Sequence, residues 1–220
     1  MSIKENLEEL WNELPPGVAL VAVSKFHPAS AILEAYEAGQ KRFGESRVQE
    51  LLEKENVLPG DIEWHFIGHL QTNKVSKLIG KVSMIESVDS ERLLSLIDDL
   101  SVKASVSTKV LLQVHVAMEE TKFGFYPEEI LSFFRDKKYE ALKAVKICGI
   151  MGMASNTDNM ERVREDFGKI SQIYRKIKDI SPELKEFDKL SMGMSGDWKI
   201  AVEEGSDMVR IGSAIFGERC

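Results

Sequence analysis

The sequence predicts an α/β fold: a parallel sheet wrapped by helices and closed into a barrel of eight strands, with an extra helix at its N-terminus. Three observations carry this. Short apolar runs alternate with amphipathic segments along the chain. The clearest runs are continuously apolar, as in strands covered on both faces. Eight strand-then-helix units follow one another about 24 residues apart, a compact spacing for a (β/α)8 TIM barrel.

Residues 3–14 place Ile3, Leu7, Leu10, Trp11 and Leu14 at helical spacing, and Pro15-Pro16-Gly17 stops that helix. Residues 18–23, all apolar, form the first strand. Pro28 near the first turn and Gly39 past the end bound the next helix. The second unit is a strand at 42–44 and a helix from near Ser46; the third is a strand at 62–67 and a helix at 74–79. A strand at 82–86 precedes a helix from Asp89 or Ser90 to Leu100, and one at 109–116 precedes a helix from Pro127 to about Phe134. The sixth strand, 145–150, leads into a long amphipathic helix at 158–177. The seventh, 187–191, leads into a helix at 197–204 that Gly205 ends. The eighth, 208–211, leads into a short helix at 213–216. No linker or low-complexity tract interrupts the pattern, so residues 1–220 are expected to form a single domain. An open doubly wound sheet is the alternative that periodicity alone leaves standing.

The chain has 220 residues, 43% hydrophobic and 30% charged, an ordinary globular balance. Its net charge of −7 disfavours binding to nucleic acid, which is held mainly by Lys and Arg. Cys148 and Cys220 stand far apart and make neither a disulfide framework nor a zinc site, which fits a reducing compartment. The longest apolar run, 18–23, is too short to span a membrane. The start, Met1-Ser2-Ile3-Lys4-Glu5-Asn6, has no apolar signal core. A cytoplasmic protein is expected.

In such a barrel, chemistry sits at the carboxyl ends of the strands. That rule selects Lys25, Glu45, Ser46, Gly68, His69, the stretch after Val116, Gly152, Met153, residues 193–195, Gly212 and Ser213. A Lys walled by apolar groups loses part of its preference for the ammonium form, and a neutral amine attacks aldehydes. The everyday reading of Lys25 is a strand-end lysine with its head in water. The loops Ser191-Met192-Gly193-Met194-Ser195-Gly196-Asp197 and Arg210-Ile211-Gly212-Ser213 stand where this barrel usually holds a phosphate. Glycines let backbone N–H groups approach an anion, and Ser195 and Ser213 add hydroxyl donors. Their everyday reading is two glycine turns with serine caps. Together, an amine on the first strand and a phosphate cradle on the last two point to a phosphorylated aldehyde: pyridoxal phosphate, or a sugar-phosphate aldolase substrate.

Other features read as structural. His65 and His69 fall on strand and loop and need not converge on a metal, and no Walker, Gly-x-Gly-x-x-Gly or His-Glu-x-x-His pattern occurs. Met151, Met153, Met192 and Met194 read as pocket wall or core. Lys74, Lys77 and Lys81 form a small basic helix face, solvated or a weak partner site.

The motifs Val21-Ala22-Val23-Ser24-Lys25, Phe43-Gly44-Glu45 with Val48-Gln49-Glu50, and Trp64-His65-Phe66-Ile67-Gly68-His69-Leu70-Gln71-Thr72-Asn73-Lys74 occur in that order. They are followed by Glu120-Thr121-Lys122-Phe123-Gly124-Phe125, Leu190-Ser191-Met192-Gly193-Met194-Ser195, and Val209-Arg210-Ile211-Gly212 with Ile215-Phe216-Gly217. In this the chain resembles the pyridoxal phosphate homeostasis proteins, also called proline synthase co-transcribed homologues, over nearly its whole length. The resemblance implies a barrel like the N-terminal domain of alanine racemase, holding pyridoxal phosphate through a Schiff base on Lys25. Ser195 and the backbone at Met194, Gly212 and Ser213 would hold the phosphate. Arg210 would face the pyridine nitrogen, where a guanidinium disfavours ring protonation and weakens the cofactor as an electron sink. A phosphate or carboxylate partner in the same mouth is the plainer reading of Arg210. The chain departs from the common family pattern at Ser46 and Arg47, where Asn and an aromatic are frequent. It departs also at His115, where Asn is frequent, and at Gly152-Met153, where Thr or Ala is usual; contacts from Ser46 and His115 to the cofactor therefore stay open.

The expected function is intracellular pyridoxal 5′-phosphate homeostasis, by binding, buffering or delivery, with little or no catalysis and no catalytic or metal-ligating residue assigned. The alternative is a small pyridoxal phosphate enzyme such as an amino-acid racemase. A racemase needs a base on each face of its substrate. In alanine racemase the second base comes from an added β-domain of a partner subunit, and the chain ends eight residues after Gly212, so that domain is expected to be missing. A cofactor-free Schiff-base aldolase is disfavoured by the resemblance. Expected partners are the cofactor and apo-enzymes that use it, with no nucleic acid, no membrane and a monomeric chain.

Overall fold

The computed structural model describes residues 2–117 and 123–217. The chain starts with α1 (Ile3–Glu13), β1 (Ala19–Val23), α2 (Ala29–Glu37), β2 (Arg42–Glu45), α3 (Val48–Glu55) and β3 (Glu63–Phe66). A 3-10 turn at Thr72–Lys77 leads to β4 (Met84–Val88), α4 (Glu91–Ala104), β5 (Thr108–Val114) and α5 (Pro127–Arg135). A second 3-10 turn at Lys138–Ala141 precedes β6 (Val145–Gly152), α6 (Met160–Ile180), β7 (Lys189–Ser191), α7 (Trp198–Glu203), β8 (Met208–Ile211) and α8 (Ser213–Phe216). The strands pair in sequence order, all parallel, and β8 pairs back onto β1 with Ala22 beside Ile211. That last pairing closes the barrel and excludes the open sheet.

The helices form where caps and patterns place them. Ser2 caps α1: its Oγ accepts the Glu5 N–H at 3.3 Å, and the Glu5 carboxylate accepts the Ser2 N–H at 2.7 Å. Asn6 on α1 donates to the carbonyl of Ile215 at 2.8 Å, which ties the extra helix to α8. Asn159 caps α6 through the N–H groups of Glu161 and Arg162. The segment after β3 departs from expectation: six residues form a 3-10 turn pinned by buried Val75, the form such short connectors favour. The fourth strand lies two residues later than its apolar pattern suggests, ending at Val88 where Asp89 and Ser90 begin the cap of α4. The turn at Lys138–Ala141 was not anticipated; buried Tyr139 anchors an otherwise polar stretch.

Most of the core lies between sheet and helices and includes the fully buried Phe43, Phe134, Phe167, Ile32, Leu51 and Ile97. Inside the barrel the apolar cluster is small: Met84, Leu111, Cys148 and Met151. Cys148 is a free buried thiol, and Cys220 and the motif residues Glu120, Thr121 and Lys122 lie outside the described residues. No described helix is long and apolar enough to cross a membrane.

Two devices hold β6 in place. Asp98 of α4 accepts the N–H groups of Lys143, Ala144 and Val145 at 2.8–3.1 Å. Burial raises its pKa, but these donors outweigh burial and hold the carboxyl below its ordinary value. Gly149 lies at φ +154, where β6 slips register against β5, and a Cβ there would sit 1.8 Å from the Lys189 carbonyl oxygen. Gly149→Ala should therefore cost about 3 kcal/mol or more, read as a fall in the urea midpoint, or abolish folding. An unchanged midpoint would refute the tight packing of β6 on β7.

Candidate functional site

The carboxyl ends of β7, β8 and β1 meet at one side of the barrel mouth. Gly212 follows β8 and lies against β1; a Cβ on it would come 3.1 Å from the Val23 carbonyl oxygen. Lys25 is half-buried two residues beyond Val23, and the His27 ring in the same loop stacks on Phe216 of α8 at 4.9 Å. The structure thus brings the Lys25 loop and the Gly212–Phe216 segment together. The β7 loop joins them, because the Ser195 hydroxyl accepts the Gly212 N–H at 3.2 Å. Its own proton stays available to donate.

Not every expected anion donor is open. The Met194 N–H is given to the Asp197 carboxylate at 2.6 Å, and the Met194 side chain is exposed. Burial pushes the Asp197 carboxyl up, while that N–H and nearby Arg210 pull it down. By contrast, the N–H groups of Ser213 and Ala214 open α8 without a protein acceptor among the described residues.

Arg210 lies deeper. It is 4% exposed and points into the barrel. Nη1 donates to Ser191 Oγ at 2.5 Å and Nη2 to the Gly152 carbonyl at 3.0 Å. Ser191 Oγ donates to Glu86 Oε2 at 2.6 Å, and Glu86 Oε1 lies 2.6 Å from His65 Nδ1. The guanidinium stands 3.8 Å from Glu86, which is fully buried. Five strands each supply one member of this network. Burial raises the Glu86 pKa, but His65, Arg210 and Ser191 outweigh it and hold the carboxyl below its ordinary value. Burial pulls the Arg210 pKa down, against the pull of Glu86 and Asp197.

A second network lies behind Lys25. The Lys54 ammonium of α3, 6% exposed, donates to Glu45 Oε1 at 2.6 Å, Glu50 Oε1 at 2.7 Å and the Ser24 carbonyl at 2.9 Å. Ser24 Oγ donates to Glu45 at 2.7 Å, and the Phe26 N–H donates to Glu50 at 2.6 Å. Phe26 has φ +69, a strained position for a side-chain-bearing residue, held with the Arg47 guanidinium 4.6 Å over its ring. Residues on both sides of Lys25 are therefore clamped. Burial pushes the Glu45 carboxyl up against the pull of Lys54 and Ser24, and its Oε2 has no partner among the described residues.

Sequence reasoning selected Glu45 as a strand-end residue but missed Glu86, Lys54 and Glu50 as parts of the site. The signal was present for Glu86, a lone carboxylate in an apolar strand. For Lys54 it was hidden, because Glu50 and Lys54 read as an ordinary solvated i,i+4 pair. His65 and His69 do not converge: His65 pairs with Glu86, while His69 pairs with Asp89 at 3.0 Å and stacks on Phe123. Among the described residues no cluster fit for a metal ion occurs. His115 meets Tyr126 edge-on, and its Nδ1 is buried without a partner among the described residues.

Residues 1–220 match the family described as alanine racemase, N-terminal domain. The pyridoxal phosphate homeostasis protein of Aquifex aeolicus is 42% identical over 207 residues, covering 91% of this chain and 86% of that protein. That of Mus musculus is 39% identical over 210 residues, covering 91% and 76%. The chain belongs to this family. PipY of Synechococcus elongatus, solved with pyridoxal phosphate bound, is 37% identical with a TM-score of 0.90, covering 98% of this chain and 100% of that one. An alanine racemase of Clostridium difficile shares the fold at 16% identity and a TM-score of 0.71, and the chain spans 56% of its length.

Glu86→Gln would leave the Arg210 charge buried without its counter-charge, at a cost of about 3–5 kcal/mol at neutral pH. Because the folded-state pKa of Glu86 is lowered, its contribution is present above the ordinary glutamate value of 4.5 and is lost as pH falls through the lowered one. Urea unfolding across a pH series should show the gap between wild type and Glu86→Gln closing below about pH 4.5. A gap that stays constant would mean Glu86 is not held as the carboxylate.

Proposed function

We propose that the protein binds pyridoxal 5′-phosphate and stores or delivers it within the cell, with little or no catalysis, residues 1–220 acting as one binding unit. The observation that carries this reading is the shared mouth: the Lys25 loop on β1 lies beside a segment whose hydroxyl and N–H donors suit a phosphate. The homeostasis relatives and the cofactor-bound PipY support the choice of ligand.

The donor set fits that molecule. Bound here, pyridoxal phosphate brings an aldehyde that bonds reversibly to an amine with loss of water. Lys25 is the amine. Ser195 holds the Gly212 N–H and turns its own proton outward, and Ser213 and Ala214 add N–H donors, so the phosphate would lie across the β7 and β8 loops. Met194, whose N–H is committed to Asp197, contributes shape more than a donor. Arg210, fixed by Ser191, Gly152 and Glu86, keeps a positive charge at the inner end of the site and disfavours a proton on the ring nitrogen. That blunts electron withdrawal and favours a carrier over the alternative, a small racemase. The clamp by Lys54 and Glu50 holds Ser24 and Phe26 on either side of Lys25 and so fixes its position. Apo-enzymes needing the cofactor are the natural recipients, and the reading needs neither an oligomer nor a membrane.

Protein mixed with pyridoxal phosphate should turn yellow, and borohydride followed by peptide mapping should place the label on Lys25; Lys25→Ala should abolish both. Ser195→Ala and Ser213→Ala should each weaken retention of the phosphate ester by about tenfold, as for a lost hydrogen bond to a charged group, and leave binding of pyridoxal nearly unchanged. A colourless wild type sinks the reading. Equal losses for both ligands remove the phosphate cradle, and rapid racemisation of an amino acid by pure protein moves the choice to the enzyme.

A further inference from the structure

We propose that a second anion site, for the phosphate group of a small soluble ligand, lies on the outer rim between the β2–α3 and β3 loops, and that its occupancy loosens the Lys25 loop. The proposal rests on the cofactor reading only for its second half.

The site is a cavity of about 290 Å³ lined by Ser46, Arg47, Gln49, His69, Lys74 and Lys77, among others. It accounts for the basic residues Lys74 and Lys77, for which the cofactor site has no use. Neighbouring cations are neutralised: Lys81 by Glu55, Lys41 by Asp61, Lys54 by Glu45 and Glu50. Arg47, Lys74 and Lys77 have no ion pair among the described residues, although the chain as a whole is acidic. Nearby acids are already engaged: Asp89 with His69, Glu53 with the Gln49 amide, and Glu50 with Lys54 and Phe26. Three uncompensated cations around one concavity, in an acidic protein, attract an anion of more than one charge. The walls are held close by Gly68, where a Cβ would come 2.3 Å from the Ser46 carbonyl oxygen. A concave wall of this size suits a phosphate group better than the flat face of a macromolecule.

The link to Lys25 is short. Residues 46–49 form the wall, and the next residue, Glu50, holds the Phe26 N–H. Arg47 belongs to both places, lining the cavity and covering the Phe26 ring. An anion that draws Arg47 into the cavity removes one of the contacts holding Phe26 at φ +69. The strained residue next to Lys25 then relaxes, and the cofactor leaves faster. By linkage, bound cofactor weakens the anion to the same extent.

The test is calorimetric titration with inorganic pyrophosphate at constant ionic strength, on the protein free of cofactor. The expected result is saturable binding that Lys74→Gln with Lys77→Gln weakens by about tenfold or more, and that Ser195→Ala leaves unchanged. Absence of saturable binding overturns the site. So does binding that survives the double variant, or that Ser195→Ala removes, since the anion would then sit in the β7–β8 cradle. A polyglutamate peptide that binds with the same variant sensitivity while pyrophosphate does not would make the patch a macromolecular surface and overturn it likewise. In the second arm, pyrophosphate should speed the decay of the cofactor's visible absorbance after dilution several-fold in wild type and not in the double variant. Equal rates overturn the coupling. A wild type that takes pyrophosphate yet never binds pyridoxal phosphate upholds the site and removes the cofactor reading instead.

Discussion

The buried guanidinium of Arg210 is the constraint around which the barrel interior is arranged. A charge this deep persists only if it is compensated and hydrogen-bonded. Glu86 on β4 supplies the counter-charge, Ser191 on β7 bridges the two, and Gly152 on β6 offers its carbonyl. His65 on β3 then closes the far side of Glu86. A polar cross-brace therefore replaces part of the apolar filling that such barrels usually carry, which explains why the interior apolar cluster is small. The same brace sets the height and angle of Arg210 beneath the mouth, so a stability requirement and a site geometry are met by one set of contacts.

The mouth divides into two halves of different stiffness. On the β7–β8 side, backbone bonds and the Ser195–Gly212 contact define the loops locally, with glycines where chains approach. On the β1–β2 side, order comes from charges: Lys54 gathers two carboxylates and a carbonyl, and Glu50 holds a strained Phe26. The first half is set by short-range geometry and resists change. The second is a balance of ionic contacts against backbone strain of about 1–3 kcal/mol, so altering one contact can shift it. With Lys25 as the proposed amine on the adjustable side and the proposed phosphate cradle on the rigid side, the mouth would suit a ligand that must be kept and later given up.

The fold was legible because its determinants are local. Strand runs, Pro28 and Pro127 at helix starts and the glycine stops each act within a few residues, and eight such units leave a closed barrel as the economical arrangement. The 3-10 turn at Thr72–Lys77 and the late start of β4 were not legible, since packing of Val75 and register against β5 decided them. At the site, Lys25 could be chosen because it stands at a strand end, and Ser195, Gly212 and Ser213 because they stand at strand ends in glycine turns. Lys54 could not, because its meaning depends on Ser24, 30 residues away; Glu86 stood out as a lone carboxylate in an apolar strand, but not its partner Ser191, 105 residues on. Met194 was chosen for a donor that Asp197, three residues on, already takes.

Carrying and catalysing pyridoxal phosphate make opposite demands on the group beneath the ring. Catalysis needs the ring to accept electrons, which an acidic partner at the nitrogen promotes by keeping it protonated. At the proposed site Arg210 would do the reverse, and Glu86 would not offset it, because its carboxylate already pairs with Arg210 and His65. Converting Arg210 alone to a carboxylate would place two acids side by side in a buried space and raise the pKa of one of them. The network would therefore have to change as a unit for the site to become a strong electron sink. On the proposed reading, the interior that stabilises this barrel would also favour holding the cofactor over strong electron withdrawal from it.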